Sequence, residues 1–158
     1  MKGSPSLLLV ALLSTPLLAQ AAEPEQCQTV RFSDVGWTDI TVTTATTSVV
    51  LEALGYKTHT TMISVPVTYK SLATGKDLDV FLGNWMPTME NDIKQYRDAG
   101  TVETVRANLE NAKYTLAVPQ ALYDKGLKDF ADIPKFKKEL DGKIYGIEPG
   151  NDGNRTIQ

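Results

Sequence analysis

The stretch TVRFSDVGWTDITVTTATTSVVLEALGYKTHTTMISV, residues 29–65, changes its apolar period twice. In 29–34 Val30 and Phe32 alternate with polar neighbours, the period of two that marks a strand with one buried face. From 39 to 54 the spacing widens to three and four. Ile40, Thr43, Thr47, Val50, Leu51 and Leu54 then share one helical stripe, and Gly55 supplies the stop. Residues 56–65 return to strand character. A strand, a crossover helix and a second strand within so few residues predict a parallel pair, the repeating unit of an α/β fold.

The same alternation continues outward. Pro66 opens a short helix that ends near Gly75. Residues 78–82 are almost wholly apolar, which predicts a strand buried on both faces of a parallel sheet. Pro87 starts a helix expected to reach Gly100. Further strands are predicted over 113–118 and 143–147, with helical segments between them over 129–140 interrupted by Pro134. No repeat, low-complexity tract or flexible linker breaks the chain. The fold class is therefore α/β with a largely parallel sheet, and a boundary between two lobes is expected near 112–116.

The N-terminus reads as a targeting segment. Lys2 gives a positive start, 7–18 an apolar run too short to span a membrane comfortably, and Ala19-Gln20-Ala21 an A-x-A cleavage site. Residues 1–21 are expected to be a cleaved secretory signal rather than an anchor, and export to the periplasm follows. Cys27 lies too far downstream to be a lipoprotein cysteine. The formal net charge is −3; removing 1–21 leaves 15 basic against 19 acidic residues, or −4. That mild acidity argues against nucleic acid or an anionic membrane surface as a partner.

A single cysteine is unusual in an exported chain. It suggests an intermolecular bridge, a reactive thiol, or a partner cysteine outside this sequence. The sequence closes on Arg155-Thr156-Ile157-Gln158 just as a new helix begins, which favours the last, with a partner for Cys27 expected beyond Gln158.

Two indoles fall outside the strand and helix patterns. Trp37 directly follows the first strand, in Val35-Gly36-Trp37-Thr38-Asp39, and Trp85 follows the third, in Gly83-Asn84-Trp85-Met86-Pro87. Asn151 follows the strand predicted at 143–147. Ligands of open α/β sheets bind beyond the carboxyl ends of the strands, so these loops converge on one rim. Exposed indole faces there suit a quaternary ammonium, which has no N–H to donate but is drawn to a π-face. Each residue also has a plainer reading. The tryptophans can be packing residues, Asp39 a helix N-cap, Tyr114 a strand aromatic and Asn151 a turn residue. His59 reads as a solvent-facing strand residue, and Lys135, Lys137 and Lys138 as a solvated face. One His and one Cys leave no metal cluster and no nucleophile–base pair, and no cofactor loop is present.

Four segments carry a family resemblance: Phe32-Ser33-Asp34-Val35-Gly36-Trp37-Thr38-Asp39; Val80-Phe81-Leu82-Gly83-Asn84-Trp85-Met86-Pro87-Thr88-Met89; Asn111-Ala112-Lys113-Tyr114; and Tyr145-Gly146-Ile147-Glu148-Pro149-Gly150-Asn151-Asp152-Gly153-Asn154-Arg155. They resemble the choline-binding proteins of quaternary-amine ABC importers, within the wider glycine betaine/choline binding-protein family. The resemblance implies a two-lobed periplasmic-binding-protein fold, type II-like, with 22–113 as the first lobe and 114–158 as the start of a second that is incomplete here. It implies that Trp37, Trp85 and Tyr114 are three walls of an aromatic box, with Asp39 and Asn151 at the ligand's hydroxyl end. The family's fourth wall is a Trp in the second half of the protein, which this sequence lacks.

The partners implied are choline or a related quaternary amine and an inner-membrane ABC permease, with the binding protein a monomer and without a cofactor. Glycine betaine and carnitine are alternative ligands. A sensory ligand-binding module and a choline-ester enzyme are the alternatives of another class, the enzyme weakened by the lack of a G-x-S-x-G elbow.

Overall fold

The computed structural model describes residues 24–158; the signal segment expected at 1–21 lies outside them. A 3-10 turn, Glu25–Cys27, leads into β1 (Thr29–Asp34). There follow α1 (Thr38–Ala53), β2 (Lys57–Met62), α2 (Val65–Thr74), β3 (Val80–Phe81) and α3 (Glu90–Asp98). Beyond these lie α4 (Gln120–Asp124), a 3-10 helix (Phe130–Phe136) and α5 (Asp152–Ile157).

The three strands form one parallel sheet in the order β2-β1-β3. The register runs from Thr29 opposite Lys57 to Asp34 opposite Met62, and pairs Phe32 with Val80 and Ser33 with Phe81. The crossovers from β1 to β2 and from β2 to β3 run in opposite directions along the sheet. Right-handed connections then put α1 and α2 on opposite faces. Strand alternation agrees with this. Ser33, on one face, hydrogen-bonds Thr68 of α2 through its hydroxyl at 2.6 Å. Phe32, 1% exposed, occupies the other face, where α1 packs on β1 and β2.

The core on the α2 side is Val65, Tyr69, Met89 and Ile93, with Trp37, Phe81 and Trp85 packed against it. Tyr69 meets Phe81 edge-on at 6.0 Å and stacks on Tyr96 at 6.5 Å. Its hydroxyl donates to Asn84 Oδ1 at 2.7 Å, and burial pushes its pKa up. A charged clamp closes the sheet's other end: Arg31 donates from its backbone N–H and Nε to Asp79 Oδ2, both at 2.8 Å, and from Nη2 to Oδ1 at 2.6 Å.

Four expectations are corrected. Segments 113–118 and 143–147 are not strands. Among the described residues neither has a neighbouring chain to complete a ladder, and an unpaired strand leaves its backbone groups without partners. Tyr145 is 85% exposed, where a sheet would bury or half-bury it. The apolar run 78–82 yields only the two paired residues of β3, at the sheet edge rather than buried on both faces. The helix expected from Pro87 begins at Glu90, because 87–89 form a turn. The N-cap of α1 is Trp37, not Asp39, whose side chain lies in the first turn without a cap hydrogen bond.

Among the described residues no helix is long and apolar enough to cross a membrane, and no His, Cys, Asp or Glu cluster could hold a metal ion. Cys27 and His59 are exposed, Cys27 with a free thiol.

Candidate functional site

With β1 central, the chain leaves it toward β2 on one side and returns to β3 on the other. The loops after β1 and β3 therefore part company, and a crevice opens where they do. Trp37 stands on the first of those loops and Trp85 on the second. Asp34, 3% exposed, accepts from the Gly36 N–H at 2.8 Å and fixes the turn that presents Trp37. Gly36 takes φ of 83°, a left-handed value that a side chain would strain. On the other loop, the Trp85 backbone N–H donates to Met89 Sδ at 3.3 Å.

The crevice holds a cavity of about 210 Å³ lined by Trp37, Asp39, Trp85, Met89, Tyr114, Ile147 and Asp152. Four of the five residues expected to form the site are there. The Trp85 and Tyr114 rings are 6.0 Å apart at 40°, so they form adjoining walls rather than a stack. Asp39 is exposed at the mouth.

Asn151 is the fifth, and it sits one layer behind the lining at 1% exposure. As N-cap of α5 its Oδ1 accepts from the Gly153 N–H at 2.7 Å and from the Tyr114 hydroxyl at 3.4 Å. Its Nδ2 donates to Glu148 Oε1 at 2.8 Å. The second amide hydrogen has no acceptor among the described residues.

Three further residues shape the site. Glu148 spans the two halves of the sequence, since its Oε2 accepts the Trp37 indole N–H at 3.2 Å while its other oxygen holds Asn151. One carboxylate thus orients both a wall and the residue that supports another. Gly153 is required by close approach: a Cβ there would lie 2.0 Å from the Tyr114 hydroxyl oxygen. Burial, then the charges of Asp152 and Glu148, pushes the Tyr114 pKa up. Asp152 is 3% exposed, and neither of its carboxylate oxygens has a hydrogen-bond partner among the described residues. Glu148, Asp152 and Gly153 all stand in the quoted 145–155 segment. What periodicity could not supply was the contact of Glu148 with Trp37, 111 positions earlier.

Comparison with known proteins now bears on this geometry. Residues 28–158 match the OpuAC family, the substrate binding domain of ABC-type glycine betaine transport system. The chain belongs to that family. An uncharacterized protein, ORF1, of Chromohalobacter salexigens is 51% identical to this substrate-binding domain over 146 residues, which cover 92% of this chain and 94% of the relative. A solved ABC-transporter choline binding protein in complex with choline is 68% identical with a TM-score of 0.78, over 85% of this chain and 46% of its own. An ABC-transporter choline binding protein in an unliganded semi-closed conformation is also 68% identical, with a TM-score of 0.71, over 84% and 46% respectively. The substrate-binding domain described here thus shares the binding-protein fold and spans about half the length of those solved chains.

Proposed function

We propose that this chain carries the greater part of a choline site in a periplasmic substrate-binding protein that delivers its ligand to an ABC permease. The observation that carries the reading is the cavity lining: two indoles and a phenol around a small apolar space, two carboxylates, and no Lys or Arg. At about 210 Å³ the space is smaller than the roughly 300–1,000 Å³ of drug-sized pockets, in keeping with a small ligand. A trimethylammonium head offers no hydrogen-bond donor, so aromatic faces are the groups that can recognise it. Each desolvated ring contributes roughly 1–2 kcal/mol, about 3–6 for the three. Micromolar binding needs about 8 kcal/mol net, which leaves apolar burial and the hydroxyl contacts to supply the remainder.

Electrostatics favour choline over glycine betaine. Asp39 at the mouth can accept a hydrogen bond from a hydroxyl, whereas it repels a carboxylate. The protein works by capture and release and performs no bond chemistry. Calorimetry of the intact protein with choline, glycine betaine, carnitine and 3,3-dimethylbutan-1-ol, choline's neutral isostere, tests the reading. Choline is expected to bind most tightly and the isostere far more weakly; an isostere that matches choline sinks it.

A further inference from the structure

Asp152 is an anomaly that the aromatic walls do not explain. It is 3% exposed, both carboxylate oxygens lack a hydrogen-bond partner among the described residues, and it lines the same cavity as the rings. An ionised carboxylate buried without a partner is among the most unfavourable groups a protein can hold, and folded proteins almost always satisfy it. The neighbouring charges do not do so. Arg155 is turned away to Asp92, at 2.5 Å, and to the Gly150 carbonyl oxygen, at 2.8 Å. Glu148 is acidic and already occupied by Trp37 and Asn151.

From this burial, this lack of partners and this position we infer that Asp152 is the counter-ion of a bound quaternary ammonium, setting selectivity for a full positive charge. The inference rests on the proposed choline site and deepens it. A trimethylammonium group spreads its charge over its methyl hydrogens, so it needs no directed hydrogen bond from the carboxylate. The attraction acts through space, and burial of Asp152 lowers the effective dielectric around its carboxylate. The field of Asp152 also reaches the walls, since after burial it is a cause of the raised pKa of Tyr114. Asp39, by contrast, is exposed, its charge screened by water, and suited to the ligand's polar tail.

Asp152→Asn keeps shape and removes the charge. Binding of choline and of 3,3-dimethylbutan-1-ol to wild type and to D152N, measured by calorimetry on the intact protein, reads the effect. Choline affinity is expected to fall roughly 10- to 100-fold, about 1.4–2.8 kcal/mol, while affinity for the neutral isostere stays within about twofold. D152S, smaller and uncharged, is expected to show the same split, and supplies the measurement if D152N does not fold. Equal losses for both ligands make Asp152 a packing residue and overturn the inference, as does an unchanged choline affinity. Wild-type protein that takes up no choline overturns the choline reading itself, and the counter-ion with it. The two failures are therefore distinct.

Discussion

Gly153 and Asp39 show how single atoms govern this cavity. The Tyr114 hydroxyl lies where a Cβ on residue 153 would have to go, 2.0 Å from its ideal position. Gly153→Ala is therefore expected to push the phenol off its seat and weaken choline by about 1–2 kcal/mol, one ring's share of the cation–π attraction. Titration with choline measures it, and Tyr114→Ala should lose at least as much. For Asp39 the expected effect is one of discrimination. Asp39→Asn should weaken choline by roughly 1–3 kcal/mol while glycine betaine weakens less or improves, because the repulsion leaves with the charge. Equal losses for the two ligands would return Asp39 to a purely structural role. Trp37 and Trp85 were legible in the sequence because loops after parallel strands share one rim, whereas Tyr114 and Asp39 came from the family resemblance. Glu148 and Gly153 were not legible, since a contact across more than a hundred residues and the space beside a glycine leave no periodic trace.

At the scale of elements, α1 shows where a pattern stops being informative. The stripe of Ile40, Thr43, Thr47, Val50, Leu51 and Leu54 correctly gives a helix, yet the fully buried positions are Ile40 and Thr44, with Val50 56% and Leu54 70% exposed. Thr41, Thr43, Thr44, Thr46 and Thr47 all lie within its first three turns. Thr43, Thr46 and Thr47 each donate a hydroxyl hydrogen bond at 2.8 Å to the carbonyl four residues earlier, which lets polar residues sit on a helix of weak propensity. The strands expected over 113–118 and 143–147 failed for another reason: a helix satisfies its own backbone, whereas a strand needs a neighbour that no local pattern can promise.

The clamp between β1 and the turn before β3 makes an element-scale prediction. The side-chain hydrogen bond from Arg31 holds the Asp79 carboxyl below the ordinary carboxylate range, with burial acting the other way. A carboxyl depressed in the folded state adds stability that is complete above its unfolded pKa of about 3.9 and is lost as pH falls through the folded value. Urea midpoints measured from about pH 5 down to 2 should therefore fall more steeply for wild type than for Asp79→Asn. Partial exposure keeps the difference modest. Parallel curves would remove Asp79 from the account of acid stability.

At the scale of the whole molecule, the site straddles the boundary expected near 112–116. Trp37, Trp85 and Met89 come from the sheet side, and Tyr114, Ile147 and Asp152 from beyond the boundary. What fastens the later segment is polar and specific: Glu148 to Trp37 and Arg155 to Asp92. Among these the Glu148 bond has an optical consequence. The sequence contains two tryptophans, and both line the cavity, one with its indole N–H held by a carboxylate. Within residues 1–158, indole emission therefore arises at the cavity alone. A cation entering between the rings changes the polarity and charge around both of these indoles at once, so their emission reports occupancy without a dye. Replacing either Trp with Phe silences one of these two walls and leaves the other to be followed.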